Sequence, residues 1–376
     1  MLLDGECTRS EVAMRTLSVF SLAILFAVTG CAPAADPAFE EGADSASTVA
    51  PPPTALLESD SGAPAPTPIS PAAEACEATS PRAAPVTVHV LPEAGETPYR
   101  LALEGATKSI RVFGYMMGYG VVYDTLRAKA RGGLDVRVIL DGDQQRDVNE
   151  KYRIGLEADG AKVTWGDPGF SYMHAKSIVI DDRHALVSTG NYSRSYMLKE
   201  RNFLAVIDDP KDVHDIASLF DADWSRTSPS LACTRLLVSP FNARERILSL
   251  LDGAQTEIVI ESMQLADSEV RAAVERRAAA GVSIRVVLAT ASWIGANANA
   301  GSWLTAKGIA ARWLKTPSVH VKAIVVDGVR AYLGSENLSS TSLDRNREIG
   351  VIVSDAAAVS TMKATIEADY AIATPF

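Results

Sequence analysis

Two short segments of the chain carry the same arrangement of His, Lys and Asp. The first runs from His174 to Asp181 (HAKSIVID) and the second from His320 to Asp327 (HVKAIVVD), so both read HxKxxxxD. In an extended strand, residues i and i+2 point to the same side. Each His should therefore project together with the Lys two positions later, and the residue between them should point into the core. An imidazole beside an ammonium group can move a proton and hold an anion, which is what phosphodiester cleavage needs.

Amide and hydroxyl side chains follow each motif at the same distance. Asn191 and Asn337 each lie ten residues beyond the motif Asp, and each is preceded two positions earlier by a hydroxyl residue, Thr189 or Ser335. Two such units facing each other would place two imidazoles, two ammonium groups and two carboxamides around one pocket. We expect the non-bridging oxygens of a phosphodiester to be held there by six side chains: Lys176, Lys322, Asn191, Asn337, Thr189 and Ser335.

The duplicated motif, together with a GSxN-like segment, resembles the phospholipase D superfamily. The second copy reads GSEN at 334–337, which is a full match. The first reads STGN at 188–191, which keeps a hydroxyl at Thr189 but has Ser188 in place of the Gly. The resemblance covers about residues 86–376. It implies a metal-independent phosphodiesterase with one active site formed by the two motif copies.

The resemblance also implies a two-step reaction through a covalent phosphohistidine. His174 is assigned as the nucleophile and His320 as the general acid and base, and the reverse assignment stays open. Glu200 and Glu348, each in a strand-like run after the Asn, should accept a hydrogen bond from each imidazole and fix its tautomer. Lys176 and Lys322 complete the catalytic set.

Several other residues receive a structural interpretation. Asp181 and Asp327 suit a tight turn after the strand and are read as structural members of the motif. Four aromatic residues could line a substrate groove, but core packing is the favoured interpretation for them: Trp165, Tyr172, Trp293 and Trp313. The Cys and His spacing does not fit zinc. We therefore expect no metal and no cofactor, and activity that survives EDTA.

The motifs sit in an internal repeat. LEGA at 103–106 recurs as LDGA at 251–254, GLDVRV at 133–138 recurs as GVSIRV at 281–286, and Gly160 and Trp165 match Gly308 and Trp313, all 148 residues apart. Each copy alternates strands and helices before a final hairpin, which predicts an α/β fold. We expect two pseudo-twofold-related domains, 86–228 and 229–376, each a mostly parallel mixed sheet flanked by helices, with the active site at their interface.

The N-terminal region is typical of a secreted bacterial lipoprotein. Met14-Arg15 precedes an apolar run from Leu17 to Val28, which has the size of a signal-peptide core. The segment VTGC at 28–31 resembles a lipoprotein box, so Cys31 is predicted to carry lipid and residues 1–13 to be a mis-assigned start; an ordinary secretory signal is the alternative. Residues 32–85 are rich in Ala and Pro and predict a disordered tether. We expect a lipid-anchored protein of the bacterial cell envelope, at the outer membrane.

Two of the four cysteines would remain unlipidated in the mature protein. Cys76 and Cys233 would lie in an oxidising compartment, where disulfides persist. We predict that they pair, with two free thiols as the alternative.

Charge helps to rank the substrates. The net charge is −10 and the pI about 5.1, which gives little counterion release on nucleic acid. The favoured function is hydrolysis of phospholipid headgroups; a non-specific nuclease, a phosphatidyltransferase and an inactive phosphodiester-binding module are the alternatives. Two motifs in one chain mean that no oligomer is required. A nuclease would need a basic cleft, which eight residues could supply: Arg111, Lys129, Arg131, Arg194, Lys199, Arg201, Arg345 and Arg347.

Overall fold

The computed structural model describes residues 77–376 and contains two eight-stranded sheets flanked by helices. The first repeat contributes, in chain order, β1 (Thr87–Leu91), α1 (Thr97–Glu104), β2 (Ser109–Gly114), α2 (Val121–Arg131), β3 (Asp135–Leu140), α3 (Arg146–Ala158), β4 (Lys162–Trp165), β5 (Ser177–Ile180), β6 (His184–Ser188), α4 (Arg194–Met197), β7 (Glu200–Ile207) and α5 (Pro210–Ser225).

The second repeat continues in the same order. It contributes β8 (Leu237–Ser239), α6 (Ala243–Asp252), β9 (Glu257–Ser262), α7 (Ser268–Ala279), β10 (Ser283–Ala289), α8 (Asn297–Ala306), β11 (Ala310–Leu314), β12 (Ser318–Val319), β13 (Lys322–Val326), β14 (Arg330–Gly334), α9 (Ser340–Asp344), β15 (Glu348–Val353), α10 (Ala356–Ile372) and β16 (Thr374–Pro375). Among residues 77–376, no helix is long and apolar enough to cross a membrane.

Both sheets are mixed, as predicted, but antiparallel pairs outnumber parallel ones. The first sheet has the order β1-β7-β6-β5-β2-β3-β4, with β12 added beside β7, and the second has the order β16-β11-β10-β9-β13-β14-β15-β8. Within each repeat only the strands joined by helical crossovers are parallel: β2, β3 and β4 in the first, and β9, β10 and β11 in the second. The description "mostly parallel" was therefore wrong, because the motif strand and the strands after it return as antiparallel hairpins.

One apolar core is shared by the two sheets. It contains side chains of the central strands of both repeats, packed with the inner faces of α5 and α10. Ala175 and Val321, the residues between His and Lys in the two motifs, are fully buried in this core, which confirms their predicted direction. Two outer clusters lie on the other faces, one under the helices of each repeat. The repeats are thus fused through their inner faces.

Among the buried ion pairs that cross between the repeats, two are formed by arginines in or beside the motif histidines' partner strands. Arg201, in β7, contacts Asp369 of α10 at 2.5 Å, and Arg347, just before β15, contacts Asp223 of α5 at 2.8 Å. All four side chains are at least nine-tenths buried. Burial raises the pKa of Asp223, and the Arg347 guanidinium acts against that shift. Because removing one partner would leave a buried charge uncompensated, each pair locks one repeat to the other.

Residues 77–85 are packed, although their composition assigned them to the disordered tether. Arg82 forms an ion pair with buried Asp212 at 2.5 Å, and the backbone N–H of Ala83 donates to Asp209 at 2.7 Å. The tether prediction was wrong for these residues because a buried carboxylate on α5 binds the one guanidinium in the segment. Cys233 is disulfide-bonded. Its predicted partner Cys76, the signal peptide, Cys31 and the rest of the tether lie outside the described residues.

The motif aspartates lie in turns at the far end of the motif strands. Asp181 and Asp327 have positive φ angles of 54° and 53°, a conformation that Asp tolerates better than most residues. The Asp327 carboxylate accepts hydrogen bonds from the backbone N–H groups of Gln255, Thr256 and Glu257 at 2.7 to 2.9 Å. Burial acts to raise the pKa of Asp327, but these bonds outweigh it and lower the pKa to about 2. Asp181 has the equivalent bonds.

Replacing Asp327 by Asn should destabilise the fold in a pH-dependent way. Asn tolerates the positive φ but loses the charge that three backbone donors stabilise, so the free energy of unfolding should fall by roughly 2 kcal/mol at pH 7. The carboxylate stabilises the fold only while it is ionised. The difference from the unchanged protein should therefore disappear as the pH falls from about 4 to 2. Urea unfolding at a series of pH values measures it, and a difference independent of pH would contradict this role.

Candidate active site

The two motif histidines lie at the entries of the central antiparallel strands of the two sheets. His174 comes three residues before β5, and His320 two residues before β13. Both imidazoles are buried, at 1% and 4% exposure. Each motif Lys, Lys176 or Lys322, is fully buried and donates from Nζ to the backbone oxygen of its own motif His at 2.7 Å. Each motif Lys therefore contacts the His of its own motif, the two residues that the spacing paired.

The orienting group of His174 comes from the opposite repeat. Nδ1 of His174 lies 2.7 and 2.8 Å from the two carboxylate oxygens of Glu348, at the start of β15. The same carboxylate accepts from Ser342 Oγ at 2.6 Å and from Asn346 Nδ2 at 2.9 Å. Burial acts to raise the pKa of Glu348, but the charge and hydrogen bond of His174 and the ammonium of Lys176 lower the pKa below its usual value. Glu348 is thus an ionised acceptor, which places the Nδ1 proton and leaves Nε2 for chemistry.

His320 has a different partner in the corresponding place. Its Nδ1 lies 3.2 Å from the amide oxygen of Asn202 and 3.9 Å from the carboxylate of Glu200, both in β7 of the first repeat. Asn202 Nδ2 in turn donates to Glu200 at 3.4 Å. The Lys322 ammonium lies 3.4 Å from the same ring nitrogen. His320 therefore faces a neutral oxygen first and the carboxylate behind it.

The structure corrects the pairing of Glu200 with Glu348 as equivalent residues. His174 N–H donates to the backbone oxygen of Arg347, and His320 N–H donates to that of Arg201. Arg201 and Arg347 are therefore the equivalent pair, 146 residues apart, as are the two histidines. In this register the first repeat reads Glu-Arg-Asn at 200–202 and the second reads Asn-Arg-Glu at 346–348.

The carboxylate and the amide have thus exchanged places between the repeats. Sequence reasoning missed Asn202 and Asn346 because only the Glu in each strand-like run was assigned as an orienting group. The offset of 146 that the two HxKxxxxD copies themselves show would have found both residues.

The hydroxyl residues that follow the motifs contact the segments that carry the orienting groups. Thr189 Oγ1 donates to the amide oxygen of Asn202 at 2.8 Å, and Ser335 Oγ accepts from the backbone of Ile349 at 3.0 Å. These two hydroxyls hold the strands that carry the orienting groups. Lys322 Nζ reaches the backbone oxygen of Thr189 at 3.4 Å. Asn191 and Asn337 are 7% and 5% exposed.

Aromatic rings flank both histidines. Tyr115 contacts the His174 ring edge-to-face with centroids 4.5 Å apart, and Trp293 stacks on His320 with centroids 6.4 Å apart. Tyr172 packs against Tyr115 at 6.2 Å. Trp293 and Tyr172 therefore lie at the site, contrary to the core-packing interpretation. Trp165 and Trp313 pack elsewhere, against Arg146 and Phe376.

The site draws its parts from both repeats. The structure brings together around the two imidazoles eight of the ten residues assigned to catalysis or phosphate binding: His174, His320, Lys176, Lys322, Glu200, Glu348, Thr189 and Ser335. Asn191 and Asn337 follow Thr189 and Ser335 by two residues and are also buried. Asp181 and Asp327 lie at the opposite ends of the motif strands. Within residues 77–376, no group of three or more His, Cys, Asp or Glu side chains has an arrangement that could hold a metal ion.

Comparison with known sequences finds cardiolipin synthases among the similar proteins. Cardiolipin synthase 1 of Bacillus cereus is 32% identical over 108 residues, which are 27% of this chain and 21% of that protein. This chain thus spans about a fifth of the length of that relative. The minor cardiolipin synthase ClsB of Bacillus subtilis (strain 168) is 23% identical over 283 residues, 66% of this chain and 71% of that protein.

Solved structures share the fold at low sequence identity. Polyphosphate kinase from Porphyromonas gingivalis has a TM-score of 0.60 and 18% identity, and covers 75% of this chain and 50% of its own. Phosphatidylserine synthase of Haemophilus influenzae Rd KW20 has a TM-score of 0.59 and 14% identity, over 76% of this chain and 86% of its own.

A family model described as cardiolipin synthase, PLD-like domain, matches residues 99–224 and 247–370, and both segments fall inside the two predicted domains. The matched segments make up more than half of the chain and carry both HxKxxxxD motifs. The chain therefore belongs to this PLD-like family, in the phospholipase D superfamily.

Proposed function

We propose that the protein cleaves the phosphodiester of glycerophospholipids and passes the phosphatidyl group, held on a histidine, to water or to an alcohol. The observation that carries the proposal is the pair of buried, differently oriented histidines, each held by the opposite repeat. Its support from relatives is that they are named as cardiolipin and phosphatidylserine synthases. Water as acceptor gives phospholipase D-type hydrolysis, and an alcohol gives phosphatidyl transfer.

In the first step, Nε2 of His174 attacks phosphorus and the bond to the headgroup oxygen breaks. His320, protonated, gives its proton to the departing alkoxide, so the headgroup leaves as a neutral alcohol. The ammonium groups of Lys176 and Lys322, with the amides of Asn191 and Asn337, hold the non-bridging oxygens and stabilise their charge in the transition state.

In the second step, the acceptor hydroxyl takes the place of the departed headgroup. His320, now neutral, removes the acceptor's proton while its oxygen attacks phosphorus. The bond from His174 to phosphorus breaks, and both histidines return to their starting protonation. The sequence of steps leaves the enzyme unchanged and uses no group beyond this chain's own side chains.

The exchange of Glu and Asn between the repeats favours His174 as the nucleophile. When Nε2 of an imidazole bonds to phosphorus while Nδ1 keeps its proton, the ring becomes cationic. The Glu348 carboxylate beside His174 stabilises that charge, whereas His320 has a neutral amide oxygen at the nearer distance and the Lys322 ammonium close by. A proton on His320 is correspondingly easier to release to the leaving group.

A phospholipid substrate is better supported than nucleic acid. Most of the basic residues that could line a nucleic-acid cleft are held by groups of this chain: Arg111, Arg131, Arg194, Arg201 and Arg347 by carboxylates, Lys129 by two backbone oxygens and Arg345 by a hydroxyl. The lipid anchor predicted at Cys31, in the bacterial envelope, would hold the site beside its substrate. Nuclease activity is the outcome that would contradict this substrate class.

The full chain, purified in detergent, should release glycerol and phosphatidic acid from phosphatidylglycerol vesicles in EDTA, because lysine ammonium groups supply the positive charge at phosphorus. A second phosphatidyl product should form when an alcohol is added, and thin-layer chromatography of labelled lipid separates the products. His320→Ala should lower both rates by about 10³-fold or more. Folded protein that cleaves single-stranded DNA but none of these lipids would reject the proposal.

The covalent intermediate should form on His174. A phosphodiester with a good leaving group needs little acid assistance, so His320→Ala should accumulate a phosphohistidine that is stable in alkali and lost in acid. His174→Ala should form none. Peptide mapping by mass spectrometry locates the adduct, and an adduct on His320 would reverse the assignment of the two histidines.

Exchanging the two orienting groups tests the argument from charge. Glu348→Gln keeps the shape but removes the charge beside the nucleophile, and should lower kcat by about 10²- to 10⁴-fold. Asn202→Asp, the matched change beside His320, should lower kcat by less than about tenfold, because the leaving-group proton is only held more tightly. Single-turnover kinetics measure both variants. Equal losses would show that the two histidines are not distinguished by these groups.

A further inference from the structure

A buried carboxylic acid of the second repeat, Glu336, has no counterpart in the first. In the register set by the motifs, its counterpart is Gly190. Glu336 is fully buried, and its Oε2 accepts a hydrogen bond from the hydroxyl of Tyr332 at 2.8 Å. Its side chain lies over Gly350, where an added Cβ would come within 2.7 Å of the same oxygen.

At these equivalent positions, the large and the small side chains are interchanged between the two repeats. The second repeat has Glu336 against Gly350, whereas the first has Gly190 at the position of Glu336 and Leu204 at the position of Gly350. A Cβ built on Gly190 would lie 2.6 Å from Cγ of Asn202, so a side chain there is aimed at the residue that orients His320. By the pseudo-twofold relation, Glu336 stands in the same way beside Glu348. The large side chain is therefore present only next to the histidine that contacts a carboxylate.

Three charged or titratable groups face the Glu336 carboxyl. Tyr332 contacts it from β14, Glu348 faces it from β15, and Lys176 faces it from the motif strand of the first repeat. Burial and the Glu348 charge raise the pKa of Glu336 to about 8, against the opposing effects of Tyr332 and Lys176. The group is therefore a neutral acid at pH 7, although it lies among ionised ones.

We propose that Glu336 is a positioning residue for the nucleophilic half of the site: as a neutral acid it packs against Glu348 without competing for Lys176, and on ionisation it weakens the hold of Lys176 on the substrate phosphate. The idea deepens the proposed function and relies on it for its kinetic consequence. One consequence can be measured without turnover, because ionisation of Glu336 changes the affinity of the pocket for any small anion.

Sulfate binding tests this effect on anion affinity without a substrate. Sulfate keeps its charge of −2 across the range, so changes in affinity between pH 7 and 9 report on the protein. The ratio of the sulfate affinity of the unchanged full chain to that of Glu336→Gln should fall about three- to tenfold over this range. Glu104→Gln, which changes an exposed carboxylate, should give a constant ratio.

Tyr332→Phe provides a second, independent variant. The Tyr332 hydroxyl stabilises the ionised form of Glu336, so its removal should move the alkaline loss of sulfate affinity to higher pH. This variant tests the proposal even where Glu336→Gln fails to fold. Identical alkaline profiles for the unchanged protein, Tyr332→Phe and any folded Glu336→Gln would overturn the role of Glu336.

The pH dependence of kcat/KM then tests whether Glu336 affects the reaction itself. The alkaline fall of kcat/KM for phosphatidylglycerol cleavage should occur at higher pH in Tyr332→Phe. In Glu336→Gln, the part of that fall caused by ionisation of Glu336 should be absent. A shift in sulfate affinity without any lipid cleavage would retain the role of Glu336 at the anion site and reject the proposed function. A shift in neither measurement, in protein that cleaves lipid, would reject the role of Glu336 alone.

Discussion

Each motif histidine is oriented by the opposite repeat, and the crossed Arg–Asp pairs help to hold the repeats in that position. Arg201 and Arg347 stand in the middle of the three-residue segments that carry the orienting groups, and their guanidinium groups reach Asp369 and Asp223 across the molecule. Their backbone oxygens also receive the histidine N–H groups. The strand that binds a histidine is therefore fixed by the same residue that fuses the two halves.

This arrangement explains why one chain contains both motif copies. A single repeat would have a His–Lys pair but no carboxylate or amide at Nδ1, because those groups come from the other sheet. The shared apolar core makes the relative position of the halves a consequence of packing rather than of a flexible linker. Fusion also allows the halves to differ, which identical subunits cannot do. The clearest difference between the halves is the reversed order of Glu and Asn at residues 200–202 and 346–348.

Sequence patterns predicted the parts that repeat and failed where the repeats diverge. Spacing within HxKxxxxD predicted the direction of Ala175 and Val321, and the alternation of strands and helices predicted the α/β architecture. The partner of His320 could not be read from a constant offset, since the second copy is two residues shorter between Trp313 and His320 than the first between Trp165 and His174. The role of Glu336 could not be predicted either, because its side chain lies against Gly334 and Gly350, which only the folded strands bring beside it.

The differences between the halves combine into a charge balance around phosphorus. Counting Lys176 and Lys322 as cations and Glu200 and Glu348 as anions, the protein groups nearest the histidines are neutral in sum. In the proposed reaction, one proton on His320 would match the single negative charge of a phosphodiester, so that the bound complex would be neutral inside a low-dielectric site, where an excess charge is costly. An ionised Glu336 would break this balance. Its burial, away from water and beside Glu348, keeps it neutral and so preserves the match between site and substrate.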